Sequence, residues 1–70
     1  MTIIFVGKFA NGEQFHRVVK TEIIPRLNES IYFFDSTESR ITGYVYKIQH
    51  TYTFNEFDDV ILTLKHLKRL

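Results

Sequence analysis

The sequence predicts a mainly β fold, a small five-stranded barrel, on three observations. Runs rich in β-branched and aromatic residues recur along the chain and are bounded by polar turn residues. The Asn11-Gly12 pair between the first two runs favours a tight hairpin turn. The longest run has an apolar alternation that breaks once, which is typical of a strand bent by a β-bulge. We therefore expect residues 1–70 to form a single small β-barrel domain that begins with a β-hairpin.

The first hairpin is predicted from strand composition and turn chemistry together. Thr2–Phe9 is the first strand, and Asn11-Gly12 supplies the two positive-φ positions of a type I′ turn. Glu13–Lys20 is the returning strand, which residues 21–24 carry on towards Pro25. Proline lacks the N–H that a ladder needs, so pairing is expected to end there.

The second half of the barrel starts with a turn over residues 25–29 and a short strand over Ser30–Asp35. Arg40–Thr53 is the longest strand candidate, and its apolar phase slips at Tyr46-Lys47. One phase precedes the slip and the other follows it: Ile41, Gly43 and Val45, then Ile48, His50 and Tyr52. We expect a bulge at the slip, with Val45, Ile48 and His50 buried.

Two segments fit either a strand or a helix. We favour a strand over Asp59–Leu64 because its residues are β-prone and a barrel needs a closing strand, with a short C-terminal helical turn after it. However, Phe57–Leu70 also has apolar residues at helical spacing, and so does Glu13–Ile23. If both are helices, the fold is α+β, a three-stranded sheet with two helices.

Composition excludes several classes of protein. The chain has 9 Lys and Arg, 8 Asp and Glu, and no cysteine. The balanced charge gives no global field to hold a polyanion. The absence of cysteine excludes disulfides and fits a reducing cytosol. No apolar run approaches the ~20 residues of a membrane span, and the Met1–Val6 segment lacks the features of a signal peptide. We expect a cytoplasmic protein with no membrane partner.

No motif predicts catalysis, a metal or a cofactor. His16, His50 and His66 do not have the spacing of a compact ligand set. Glu56, Asp58 and Asp59 form the one acidic cluster, but neighbouring residues of a strand point to opposite faces and would not converge. The sequence contains neither a Gly-x-Ser-x-Gly elbow nor a glycine-rich phosphate loop. We therefore expect a protein that is not an enzyme.

Aromatic residues are the unusual feature of the composition, with seven Phe and four Tyr. If Ile31 and Val45 point into the core, strand alternation turns four rings outward. These rings belong to Tyr32, Phe34, Tyr44 and Tyr46. Such a face either supports the sheet by cross-strand packing or binds a partner.

The middle and end of the chain carry a motif set that spans Ile24–Leu64. Its members are Ile24-Pro25-Arg26, Glu29, Ile31, Phe33, then Gly43, Val45, Ile48, His50 and Tyr52, and finally Val60, Leu62 and Leu64. The set resembles SH3-like small β-barrel proteins encoded by phages and mobile elements, which have a Pro-Arg-x-Gly-Glu turn and a Gly-x-Val-x-x-Val-x-His strand. Asn28 replaces the glycine of that turn. The resemblance implies a barrel fold and a bacterial host, and it says almost nothing about an activity.

Two functions from different classes follow from these features. The first is a phage-type accessory module that binds a host or phage protein through Tyr32, Phe34, Tyr44 and Tyr46, for example to inhibit a host enzyme or defence factor. The alternative is a nucleic-acid-binding barrel, in which tyrosines stack on bases and cations contact phosphates. Those cations would be Lys47, Lys65, Lys68 and Arg69, with Lys8, Arg17 and Arg40. Because a barrel of this kind has open edge strands, a homodimer is a further expectation.

Overall fold

Five β-strands in one sheet make up the protein in a computed structural model, which describes residues 1–53 and 56–70. The strands are β1 (Thr2–Phe9), β2 (Gln14–Lys20), β3 (Ser30–Ser36), β4 (Ser39–Thr53) and β5 (Glu56–Arg69). Their order across the sheet is β2-β1-β5-β4-β3, with β1 and β5 parallel and the other neighbours antiparallel. The predicted all-β fold is confirmed.

Both segments with helical spacing are strands, so the α+β alternative is wrong. Residues 14–20 of the first segment form β2, and β5 runs on to Arg69, where a helical turn was expected after Leu64. The physical reason is position, because β5 lies in the centre of the sheet and pairs with β1 on one side and β4 on the other. Two ladders of backbone hydrogen bonds thus override a helical pattern of apolar residues.

The sheet curls into a half-barrel, and the side chains of its two edge strands meet. Phe15 of β2 and Phe33 of β3 have ring centroids 5.1 Å apart. Beside them, the Arg17 guanidinium of β2 donates a hydrogen bond to the Asp35 carboxylate of β3. The edges are therefore joined through side chains across the concave side.

The core fills the concave side of the sheet. Its buried members are Ile3, Phe5, Phe9, Phe15, Ile41, Val45, Val60, Leu62, Leu64 and Leu67. Phe33 packs on this cluster and makes an edge-to-face contact with Phe5, with centroids 5.0 Å apart. The other side of the sheet is convex, and it carries the residues that alternate with the core residues, both polar ones and partly exposed apolar ones such as Ile4 and Val6.

Three register shifts interrupt the pairing of β4 with β5, and the two described below lie next to each other and bend these central strands. In β4, Val45 pairs with Leu64 and Lys47 with Thr63, so Tyr46 is the extra residue. This confirms the bulge predicted at Tyr46-Lys47. In β5, an extra residue between Leu64 and Leu67 shifts the register against both neighbours, and His66 there has a positive φ of 56°.

Leu67 explains why two glycines face each other across β5. A Cβ atom at Gly7 would lie 2.7 Å from Leu67 Cδ1, and one at Gly43 would lie 2.9 Å from Leu67 Cδ2. The Leu67 side chain thus occupies the space over β1 and β4 that side chains would otherwise fill. This close approach lets the sheet curl tightly beside the β5 bulge.

The first hairpin has a different turn from the one predicted. The Gly12 amide donates to the Phe9 carbonyl (2.9 Å), and the Glu13 amide donates to Asn11 Oδ1 (2.9 Å). Gly12 has a φ of 89°, whereas Asn11 does not have a positive φ. A type I′ turn needs both, so that expectation is wrong. The geometry is a three-residue loop with a left-handed glycine as its last residue.

The connection from β2 to β3 is irregular. β2 ends at Lys20, so the expected continuation over residues 21–24 is wrong. The hydroxyl of Thr21 accepts a hydrogen bond from the Ile23 amide, which gives the backbone a local alternative to the ladder. Asn28 has a φ of 68°. Asn28, which stands in place of the turn glycine, thus adopts the left-handed backbone conformation that both glycine and asparagine tolerate.

The prediction of a buried core histidine is wrong, because His50 is exposed. Ile48, which was predicted to be buried with it, is half-buried. Val45, the third residue of that prediction, is fully buried. The reason is the length of β3, which pairs with β4 only from Ser39 to Tyr44. The later part of β4 therefore has β5 as its one paired neighbour and gains less cover.

Candidate partner-binding face

The four aromatic residues predicted to point outward do so on the convex side. Tyr32, Phe34, Tyr44 and Tyr46 are all exposed, between 42% for Tyr44 and 59% for Phe34. The cause is strand alternation, since their neighbours Phe33 and Val45 point into the core. Folding therefore leaves about half of each ring in contact with water.

Three of these rings are neighbours on the same face of two adjacent strands. Tyr32 and Phe34 stack along β3, with centroids 6.4 Å apart and ring planes 21° apart. Thr42 pairs with Tyr32, which makes Tyr44 the diagonal neighbour of Tyr32 on β4. Diagonal neighbours on one face of a sheet are about 7–8 Å apart, within reach of aromatic rings.

The two bulges add basic residues to the same surface. A bulge places two residues opposite one residue of the partner strand, so polar side chains become denser there. Lys65 Nζ lies 6.0 Å from the centroid of the Tyr46 ring. The His66 ring meets Tyr44 edge-on, with centroids 6.3 Å apart.

Lys47, Lys68 and Arg40 complete this surface. Lys68 pairs with Thr42 in the same row as Tyr32, and Arg40 pairs with Phe34. We call the whole surface the aromatic–basic face. It consists of Tyr32, Phe34, Arg40, Tyr44, Tyr46, Lys47, Lys65, His66 and Lys68.

Charge is segregated between the two sides of the sheet. Six of the nine Lys and Arg residues lie on the convex side, namely Lys8, Lys20, Arg40, Lys47, Lys65 and Lys68. Among the strand residues with described side chains, Asp59 is the one carboxylate there. Asp59 is six residues from Lys65 along β5, about 20 Å in a strand. The aromatic–basic face is therefore positive although the net charge is only +1.

Two arginines that were candidates for nucleic-acid contacts lie away from this face. The Arg69 guanidinium stacks over Phe9, 4.0 Å from the ring centroid, and donates to Glu13 Oε1 (2.6 Å). The Arg17 guanidinium lies 4.9 Å from the Phe15 ring centroid and pairs with Asp35. Both arginines thus cover core phenylalanines and have a carboxylate partner. Arg40, Lys47, Lys65 and Lys68 are the candidates that the structure brings together on the aromatic–basic face.

The structure shifts the ionisation of Asp35. The hydrogen bond from Arg17 holds the pKa of Asp35 below its ordinary value of 3.8, and the charge of Arg17 acts in the same direction. Partial loss of water opposes this shift and the Ser39 hydroxyl adds to it. The pair stabilises the junction of the edge strands and is not part of the aromatic–basic face.

His66 is the residue of this face that the sequence analysis missed. Its signal was the spacing of Leu64 and Leu67, two core residues separated by three positions. That spacing fits a helix, and it fits equally a strand with one extra residue. The structure selects the second interpretation.

The described residues provide neither a metal-binding cluster nor a membrane-spanning helix. They contain no group of three His, Cys, Asp or Glu side chains that would hold a metal ion. They also contain no helix with the length and apolarity needed to cross a membrane. The side chains of Glu56 and Asp58 lie outside the described residues, so the expectation that their cluster is not catalytic stays a prediction.

Comparison with known proteins gives no further guide to function. No family model, no curated protein and no solved structure matches the chain.

Proposed function

We propose that the protein is a non-enzymatic binding module that docks on a partner protein through the aromatic–basic face. The observation that carries this proposal is the set of four half-exposed rings on the convex side of two adjacent strands. Tyrosine and phenylalanine give a large contact area at low conformational cost, and tyrosine is frequent among the anchors of protein interfaces.

The charge of the face narrows the kind of partner. Lys47, Lys65 and Lys68 surround the rings, and Asp59, the one strand carboxylate with a described side chain on the convex side, is several residues away. A partner with an acidic rim around an apolar patch would complement this surface. The resemblance to phage-encoded barrels suggests a host or phage protein as that partner, with inhibition of a host factor as one outcome.

A nucleic acid is the second candidate, and the segregated charge favours it. Tyrosine rings beside lysines, as at Tyr46 and Lys65, are the combination that stacks bases and neutralises phosphates. A salt titration separates the two candidates, because phosphate contacts give a steep loss of affinity with added salt. Absence of binding to single-stranded and duplex DNA at ~50 mM salt would remove the second candidate.

The direct test is capture of a partner from a bacterial lysate with tagged protein, repeated after nuclease treatment. We expect the wild type to capture a partner protein both with and without nuclease treatment. The Tyr44→Ala and Tyr46→Ala variants should no longer capture it. Each substitution should cost about 2 kcal/mol of binding, because interface energy concentrates in a few aromatic anchors. Stability should change little, since both rings are half-exposed.

Tyr52→Ala is the matched control, because Tyr52 is also an exposed tyrosine of β4 but lies outside the aromatic–basic face. It should capture as much partner as the wild type. Equal loss in all three variants would contradict the proposed face. Capture that disappears after nuclease treatment would move the case to the nucleic-acid candidate.

A further inference from the structure

A cleft of about 580 Å³ opens on the convex side, at the place where the two bulges bend the sheet. Val6 and Thr63, which are paired on β1 and β5, line it between two walls. One wall consists of Tyr46, Lys65 and His66 from the bulges. The other comes from Lys8 at the end of β1 and from the start of β2. Its size is typical of sites for small organic ligands.

The charged groups of the cleft are of one sign. Lys8 and Lys65 bring two positive charges, and His16, His66 and Gln14 add N–H donors. No carboxylate lines it among the residues that the structure describes. Glu13 is next in sequence to Gln14, but its carboxylate accepts a hydrogen bond from Arg69. The lining is thus complementary to an anion with several oxygen atoms.

We propose that this cleft binds a small phosphorylated molecule of the size of a nucleoside monophosphate. A phosphate monoester carries a charge of about −1.5 to −2 at neutral pH, which two lysines match. Its oxygens are strong acceptors for the lysine and histidine donors. The Tyr46 ring, which Lys65 approaches to 6.0 Å, offers a flat surface for the organic part of the ligand.

The cleft overlaps the aromatic–basic face, with which it shares Tyr46, Lys65 and His66, but this proposal does not depend on the proposed partner-binding function. Lys8 and His16 belong to the cleft alone, whereas Tyr32 and Phe34 belong to the aromatic–basic face alone. Substitutions in these unshared residues therefore test the two proposals separately.

The test is an NMR titration of the ¹⁵N-labelled protein with adenosine monophosphate, with adenosine as the phosphate-free control. We expect adenosine monophosphate to shift the amide signals of Val6–Lys8, Gln14–His16 and Thr63–His66, and adenosine to leave them in place at the same concentration. Lys8→Gln should weaken the binding about tenfold, because it removes one charged partner of the phosphate.

Lys20→Gln is the matched control. Lys20 is a convex-side lysine that pairs with Thr2, six positions along β1 from Lys8 and outside the cleft. It carries the same charge loss and should leave the affinity within about twofold, since an exposed charge about 20 Å away is largely screened. The spectrum of each variant also reports whether the fold is intact, and Lys65→Gln is the second cleft variant if Lys8→Gln does not fold.

Three results would overturn the proposal. They are equal shifts with adenosine, equal weakening in Lys8→Gln and Lys20→Gln, and shifts of these amides with a thymidine decanucleotide but not with adenosine monophosphate. The last result would make the cleft part of a nucleic-acid surface. A Tyr32→Ala variant that still binds adenosine monophosphate but not the partner protein would confirm that the two sites are distinct.

Discussion

At Gly12, backbone conformation alone determines the cost of a substitution. Its φ is 89°, and an added Cβ atom would meet nothing within 4 Å. Gly12→Ala should therefore lower the free energy of unfolding by about 1 kcal/mol, because an L side chain resists the left-handed region. A urea titration measures this difference. Gly12→Asn is the control and should cost less, since asparagine tolerates this conformation. A Gly12→Ala protein as stable as the wild type would contradict the turn geometry.

Residue types predict part of the unusual backbone and miss the rest. Gly12 and Asn28 are both residues that tolerate a positive φ, and both have one. The prediction of a type I′ turn was wrong because the Asn11 side chain accepts a hydrogen bond from the Glu13 amide. The Asn-Gly dipeptide alone does not reveal this interaction. His66 had no turn residue beside it in the sequence. Its left-handed φ follows from the two neighbouring strands that fix the register on either side of the β5 bulge.

At the scale of elements, the Arg17–Asp35 pair connects the two edge strands, so the junction should depend on pH. A carboxyl with a lowered pKa in the folded state contributes stability above its ordinary value of 3.8. That contribution is lost as the pH falls through the lowered pKa. We expect the wild type to be more stable than Asp35→Asn at about pH 6, and the difference to shrink by about pH 3.

Urea midpoints at both pH values measure this effect. Arg17→Gln is the second variant, and it should remove the same pH-dependent part of the stability, because the shift arises mainly from the Arg17 hydrogen bond. A difference between wild type and Asp35→Asn that stays constant with pH would contradict the pair's role.

Strand periodicity predicts elements well where one face is buried, and poorly where a bulge shifts the phase. The bulge at Tyr46 could be predicted because a long apolar alternation continues on both sides of the slip, and the structure has a bulge at this residue. In β5 the apolar alternation before the bulge is shorter. The three-residue spacing of Leu64 and Leu67 across the bulge therefore fitted a helix as well as a strand. His50 continues the apolar phase of β4, but its exposure depends on how far β3 extends, which local periodicity does not determine.

At the scale of the whole molecule, net charge is a poor guide to the field at the surface. A net charge of +1 suggested no site for an anionic partner. Strand alternation places most lysines on the convex side. Two arginines instead pair with carboxylates beside the core, so the charges are distributed unevenly between the two sides. The sequence contained this alternation, but the sorting depends on the order of the strands. That order includes the parallel pairing of β1 with β5, which no local pattern predicts.

The sorted charge predicts binding to a cation exchanger at a pH where the net charge is near zero. The sequence pI is about 8.1, and at that pH we expect the wild type to be retained through the aromatic–basic face. Lys65→Gln with Lys68→Gln should lower the salt concentration of elution, because both lysines lie on the aromatic–basic face. The control is Lys20→Gln with Arg26→Gln, which removes the same total charge outside that face and should lower it less. Equal shifts in the two double variants would show that net charge, not its distribution, controls binding, and would contradict the segregation argued from the strand order.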